Sequence, residues 1–350
     1  MRRFLYLGLA LTGLLAFIAF FVSLYRSMQL YILAPEQGSA LIYHFSLYIP
    51  DNRNSFFEGI IRGAEQAAAE LDSAVSVHSI DPSRNELDFA AFTGVDGVIV
   101  CPYLDDAAAR RCLEKLRENQ IPAVLINHGL PSEQPWPFIG VNNFDLGRRI
   151  GLILPGKPTD LSTDFSADLS ADSSEDLSEK IHLALVYSDK APGIYTEREL
   201  VEMGISASAG DRLSGPIMRF RTDLNPLDAE SLMVNIFRGA VGSAAGSAAG
   251  GERSHAINTI VFTDPEDTIA AAQTLVDLNL VGQIRIIGFG ADPGVIESIR
   301  KGIVSASVVI NSELIGYEAV HSLAALRTIG YTSASIDTGI EIITGPGSGQ

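Results

Sequence analysis

The chain has 350 residues, 47% of them hydrophobic, which is enough apolar material for more than one core. A formal net charge of -17 opposes binding to phosphate-rich nucleic acid. One tryptophan and two cysteines exclude a disulfide-stapled scaffold.

At the N-terminus, Met1-Arg2-Arg3 precedes an uncharged run from Phe4 to Tyr25, closed by Arg26. The run is long enough to span a bilayer as a helix. Arg2 and Arg3 favour a cytoplasmic N-terminus. Phe17, Phe20, Phe21 and Leu24 crowd the exit, where a cleavable signal would carry small residues. Residues 1–37 therefore read as a signal anchor and tether. The remaining chain is expected on the periplasmic, extracytoplasmic face of the membrane. Cleavage after about Ser27, with release of the rest, is the alternative.

The stretch Ala40 to Ile49 is apolar and aromatic and reads as a buried strand. A helix follows to Leu71, because Phe57, Ile60, Ile61, Ala64, Ala67, Ala68 and Leu71 recur at three- and four-residue steps between charged positions. The loop between them carries Asn54, Phe56 and Phe57. In an open parallel sheet, ligands bind where strand carboxyl ends meet helix starts. An amide beside two aromatic rings suits an uncharged, ring-shaped polar molecule: the amide for hydroxyls, a ring for an apolar face. The competing reading makes both phenylalanines ordinary core residues at a helix start.

Strands and helices then alternate. Strands are predicted at Val75–Ile80, Gly94–Pro102, Ile121–Asn127 and Phe138–Val141, with helices around Leu87–Phe92 and over Asp105–Asn119 and Asn143–Leu154. His128 stands at the end of the fourth strand, facing the expected cleft. A second series begins at Ile181–Tyr187. It continues with helix Tyr195–Ala207, a strand near Pro216–Phe220, helix Leu227–Phe237, strand Thr259–Phe262 and helix Asp267–Leu278. Strand Ile284–Phe289, helix Gly294–Lys301, strand Ser305–Ile310 and helix Leu314–Leu326 complete it. Alternation on this scale means α/β architecture with helices on both faces of parallel sheets, and two series mean two doubly wound lobes.

Two segments interrupt the pattern. Within 156–179 an Asp-Leu-Ser unit repeats, as in Asp160-Leu161-Ser162 and Asp176-Leu177-Ser178. Like charges at helical spacing repel, so this acidic insertion is expected to be solvated and disordered. Calcium binding is the sharper alternative, but no glycine turns accompany the repeat. Residues 242–253 are rich in Gly, Ser and Ala and read as a flexible insertion.

No catalytic group emerges. Cys101 and Cys112 are nucleophiles on paper, but both sit where small buried core residues are expected. The six histidines show no metal-ligand spacing. No glycine-rich loop carries the Lys-Ser/Thr that cradles phosphates. The reading is a non-enzyme with no cofactor and no metal.

Several landmarks, taken together, resemble periplasmic sugar-binding proteins of the ribose-binding type, whose periplasmic binding protein-like I fold is shared with lac-repressor-like ligand domains. They are Asn54-Ser55-Phe56-Phe57 with Gly59, Gly63 and Ala64; Val95-Asp96-Gly97-Val98-Ile99-Val100; Ile121 to Ile126; Ile287-Gly288-Phe289; Ile299 to Val308; and Glu313 to Val320. No helix-turn-helix precedes these landmarks, so a DNA-binding repressor is disfavoured.

The resemblance implies a three-crossover hinge between the lobes, with lobe one formed by 38–141 plus 311–337 and lobe two by 142–310 plus 338–350. It places Asn54, Phe56 and Phe57 on the ligand. Asn127 and His128 fall where an Asp-Arg pair is usual. Glu197-Arg198 matches a Glu-Arg whose Arg198 would fork onto ligand oxygens. Asp264, Glu266 or Asp267 takes the place of an Asn-Asp pair. Two positions depart from the pattern: Gly290 replaces an acid, with Asp292 two residues on, and Ile310 replaces a hinge glutamine, with Asn311 adjacent. Either the register slips there or two polar contacts are lost. The function implied is capture of a small polar ligand, a sugar or related polyol, for ABC-type transport by a partner permease. The alternative is a membrane-tethered sensory ectodomain of the same fold that signals to a partner protein.

Overall fold

The computed structural model describes residues 17, 20–22, 42–50, 54–80, 86–102, 106–130, 132–154, 180–189, 194, 197–223, 227–245 and 257–345. Tyr43–Gln350 separates from Met1–Ile42, and each is taken by itself. In the N-terminal unit Phe17, Phe20, Phe21 and Val22 are helical and exposed. The rest of the predicted span, the tether and the acidic segment 156–179 lie outside the described residues. Among the described residues, no helix is long and apolar enough to cross a membrane.

From His44 the chain runs β1 (His44–Pro50), α1 (Ser55–Glu70), β2 (Ala74–Ile80), α2 (Glu86–Phe89), β3 (Gly97–Val100), α3 (Asp106–Glu118), β4 (Ala123–Ile126), β5 (Phe138–Gly140) and α4 (Asn143–Ile153). It continues β6 (Leu183–Ser188), α5 (Arg198–Ala209), β7 (Met218–Thr222), α6 (Asp228–Ala245), β8 (Thr259–Phe262), α7 (Pro265–Asp277), β9 (Arg285–Phe289), α8 (Pro293–Arg300) and β10 (Val304–Ile310). After α9 (Ser312–Thr328) come β11 (Ser335–Asp337) and β12 (Ile340–Thr344).

The strands form two six-stranded sheets, in the orders β11-β5-β4-β3-β1-β2 and β12-β10-β9-β8-β6-β7. Gly97–Val100, Ala123–Ile126, Leu183–Ser188 and Thr259–Phe262 are buried along their whole length. Such unbroken apolar strands belong in sheets covered on both faces. Helix α1 buries Phe57, Ile60, Ile61, Ala64, Ala67 and Ala68, the face its spacing predicted. Asn54 caps it, accepting from the Phe57 amide.

One helix pair in each lobe packs backbone against backbone. A Cβ at Gly316 on α9 would lie 1.9 Å from the Ile60 carbonyl oxygen of α1. A Cβ at Gly147 on α4 would lie 1.9 Å from the Val201 carbonyl oxygen of α5. Only a residue without a Cβ allows so close an approach.

Three features depart from expectation. Helix α6 runs to Ala245 rather than stopping at Phe237, so 242–245, assigned to the Gly/Ser/Ala insertion, are helical. Ala244 and Ala245 are strong helix formers, and an isolated glycine is tolerated within a helix. Residues 246–253 of that insertion lie outside the described residues. Strands β11 and β12 were not foreseen, since they are short and partly exposed. Finally, β12 pairs antiparallel with β10, so lobe two is not wholly parallel.

Among the described residues the chain crosses between the lobes after β5, after β10 and between β11 and β12. Two of these crossings are joined. The Gly140 carbonyl accepts from the Thr338 amide at 2.8 Å and from the Thr338 hydroxyl at 3.2 Å. Gly339, with φ 69°, turns the chain between the last two strands.

Candidate functional site

A cleft lies between the lobes with about 310 Å³ of space between atoms, open solvent included. The described residues lining it come from the carboxyl side of parallel strands, where open α/β sheets bind ligands. Asn54 and Phe56 follow β1, and Asn127 follows β4. From lobe two come Ile194 beyond β6, Thr263, Asp264 and Pro265 after β8, and the strand-end residues Phe289 and Ile310.

Each polar group is held by its local structure. The Asn54 Oδ1 caps α1 at 3.2 Å from the Phe57 nitrogen, which leaves Nδ2 as the donor for a ligand. Asn127 has φ 62°, the left-handed region that few residues other than Gly and Asn adopt. That turn aims the side chain out of β4, with Nδ2 4.0 Å from the Cys101 sulfur. Asp264 is fully buried as the cap of α7, its Oδ1 accepting from the amides of Glu266 and Asp267 at 3.0 and 3.1 Å. The Thr263 hydroxyl is engaged in the scaffold: it accepts from the Ser188 amide and donates to the Val186 carbonyl.

The predicted site residues divide. Asn54, Phe56, Asn127 and Asp264 come together in the cleft. Phe57, one step further round α1, is fully buried in the core and meets Phe56 edge to face. His128 is buried beside the β4 end and does not line the cleft. Glu266 is exposed on the first turn of α7, and its backbone amide donates to Asp264. Arg198 begins α5 within electrostatic reach of Tyr187, whose hydroxyl donates to Glu202 and whose burial pushes its pKa up. The neighbouring Glu197 accepts from Asn143 Nδ2 at 2.7 Å.

The two departures resolve differently. Gly290 has φ 80°, and a Cβ there would lie 3.1 Å from Asp292 Oδ2, so an acid does stand beside this position. That carboxylate accepts from the Ser55 hydroxyl at 2.9 Å, a bond from lobe two to the start of α1 in lobe one. Ile310 lines the cleft itself, while the Asn311 side chain caps α9 by accepting from the Leu314 amide.

Cys101 ends β3 behind Asn127, and burial pushes its thiol up to about 12. Such a thiol stays protonated, the form that is not nucleophilic. Cys112 is raised to about 11, by burial first and then by Asp88. Both cysteines are free. Among the described residues, no group of three or more His, Cys, Asp or Glu could hold a metal ion.

The sequence does not single out Ile194, Thr263, Pro265 and Phe289 as cleft residues. Thr263, Pro265 and Phe289 are marked in the sequence by position at or just past a strand end, Ile194 lies six residues beyond β6, and Phe289 and Ile310 are as apolar as the core behind them.

Two lobes of one strand order, three chain crossings and a cleft at the strand ends define the periplasmic binding protein-like I fold. No protein-family model and no curated protein matches the sequence. Solved structures do match. A glucose-galactose binding protein from Geobacillus stearothermophilus is 20% identical, covering 86% of this chain and 97% of that one, with a TM-score of 0.65. A carbohydrate transporter solute binding protein from Agrobacterium radiobacter, in complex with D-arabinose, is 13% identical over 87% and 95%, with a TM-score of 0.67. A LacI-type transcriptional regulator from Bacteroides fragilis is 12% identical over 86% and 96%, with a TM-score of 0.65.

Proposed function

We propose that this chain is an extracytoplasmic solute-binding protein that takes a sugar or related polyol into the inter-lobe cleft and presents it to an ABC-type permease. The observation that carries the reading is the lining: two amides, one buried carboxylate and the Phe56 ring converge at strand ends from both lobes. Amides and a carboxylate match hydroxyls, and a ring packs on the C–H face of a sugar. The glucose-galactose and D-arabinose proteins of the same fold support that ligand class. A ligand touching both lobes stabilises the closed arrangement, which is the form a partner would recognise.

The apolar run Phe4–Tyr25 is read as a retained anchor that keeps the protein near its membrane partner. The test of function is calorimetric titration of the full chain, in detergent, with pentoses, hexoses, polyols and nucleosides. The expected result is saturable 1:1 binding of a sugar or polyol, weakened at least about tenfold by Asn54→Ala, which removes a buried donor to a hydroxyl. No binding from any of these classes sinks the reading. Alkaline extraction of membranes tests the anchor: the intact chain should stay in the pellet, and a shortened, soluble form would replace the anchor with a cleaved leader.

A further inference from the structure

The cleft is chemically lopsided. Lobe one contributes Asn54, Asn127 and the Phe56 ring. Lobe two contributes a wall of Ile194, Pro265, Phe289 and Ile310, all buried and all without a hydrogen-bonding side chain. Of its two polar lining residues, Thr263 spends its hydroxyl on the Ser188 amide and the Val186 carbonyl. The other, Asp264, is fully buried and accepts from two amides of α7. Among the described lining residues there is no lysine or arginine to balance a carboxylate or phosphate on the ligand.

Resting on the sugar-binding reading above, we propose that the ligand is a deoxy sugar. Its hydroxyls face the amides of lobe one and the Asp264 carboxylate, and its C–H edge or methyl group lies on the Ile194–Phe289–Ile310 wall. A hydroxyl on that edge would lose its water and find no partner. Apolar pockets discriminate against one added hydroxyl by about 10- to 100-fold. The wall therefore sets which member of a sugar pair binds, while the amides hold the features that both members share.

The experiment titrates the full chain with matched pairs: D-galactose against D-fucose, L-mannose against L-rhamnose, and D-ribose against its deoxy counterpart. The deoxy member of the pair that binds should do so about 10- to 100-fold more tightly. Ile310→Gln places a donor and an acceptor in the wall, and should erase or reverse that preference. Phe289→Tyr is the second variant should Ile310→Gln fail to fold. Parent sugars binding as tightly as their deoxy partners overturn the proposal and leave the sugar-binding reading standing. A deoxy preference unchanged in the folded wall variant also overturns it, since the wall would not be its cause. Silence from every pair, parent and deoxy alike, overturns the deoxy-sugar proposal, and the sugar-binding reading falls with it only if the wider panel of pentoses, hexoses and polyols is silent too.

Discussion

The two lobes share a plan and differ in what they bring to the cleft. Each lays its strands in the same order, and each joins the helix after its first strand to a helix that enters through a crossing, with a glycine at the seam. At the cleft they part. Helix α1 starts from an asparagine whose side chain caps it, whereas Glu197 before α5 makes no side-chain cap and turns to Asn143 instead. Lobe one thus presents amides fixed by helix and turn geometry, and lobe two presents an apolar wall around one acid. A shared scaffold sets where a ligand sits, and the residues at the strand ends set which ligand it is.

The shared part is broken most strongly at the seams. Gly316→Ala and Gly147→Ala should each destabilise the protein, at the upper end of about 1–3 kcal/mol, because the new methyl meets a backbone carbonyl rather than a side chain that can move. Urea denaturation measures both. A harmless substitution at either position would mean that the lobes are not built on the same contact.

The differing part is sharpened by separating cap from ligand donor. Asn54→Asp keeps the acceptor for the Phe57 amide and removes the donor, so stability should hold while sugar affinity falls about tenfold. Asn54→Ala should lose both, with about 1 kcal/mol of stability going with the cap. Glu197→Gln, which keeps an acceptor for Asn143 Nδ2 and has no cap to lose, should leave the helix start within about 0.5 kcal/mol. A loss there equal to that of Asn54→Ala would erase the distinction between the two helix starts.

A smaller effect is expected where the lobes touch. Ser55→Ala removes the bond to Asp292, an exposed contact worth about 0.5–1 kcal/mol at most. Small-angle scattering of the ligand-free protein should show a wider average, and an unchanged profile would mean that this bond does not hold the lobes together. The smallest effect is chemical. With its thiol near 12, Cys101 is about one part in ten thousand thiolate at pH 8, so alkylation of the native protein should wait on unfolding. Fast labelling at Cys101 would contradict its burial.

How much could be read in advance follows the same division. The two sheets were legible because their central strands are buried end to end and leave unbroken apolar runs. Strands β11 and β12 were not, since edge strands of three and five residues carry no such run. In the cleft, Asn54 was legible as an amide between a strand end and an apolar helix, whereas the resemblance narrowed the lobe-two acid only to Asp264, Glu266 or Asp267, and the cap of α7 singles out Asp264. Phe56 and Phe57 differ by phase: the apolar spacing groups Phe57 with Ile60, Ile61 and Ala64 on the buried face of α1, and one residue turns a side chain about 100° round a helix, which leaves Phe56 to the cleft. Arg198 resembled a ligand clamp, yet α5 sets it beside the Tyr187–Glu202 cluster. The apolar wall left no sign, since an isoleucine against a ligand and an isoleucine against a core look the same in sequence.

Strands β11 and β12 also bear on how the protein is born. They are the outer strands of two different sheets, and both follow every other strand in the chain. Helix α9, whose Gly316 seals the seam of the first lobe, is likewise made after β6 to β10 of the second sheet. As the ribosome delivers residues in order, the lobe begun first therefore cannot be finished first. Both sheets stay incomplete until the same few residues emerge, so the two halves reach their native state nearly together, each with an open edge to shield until then.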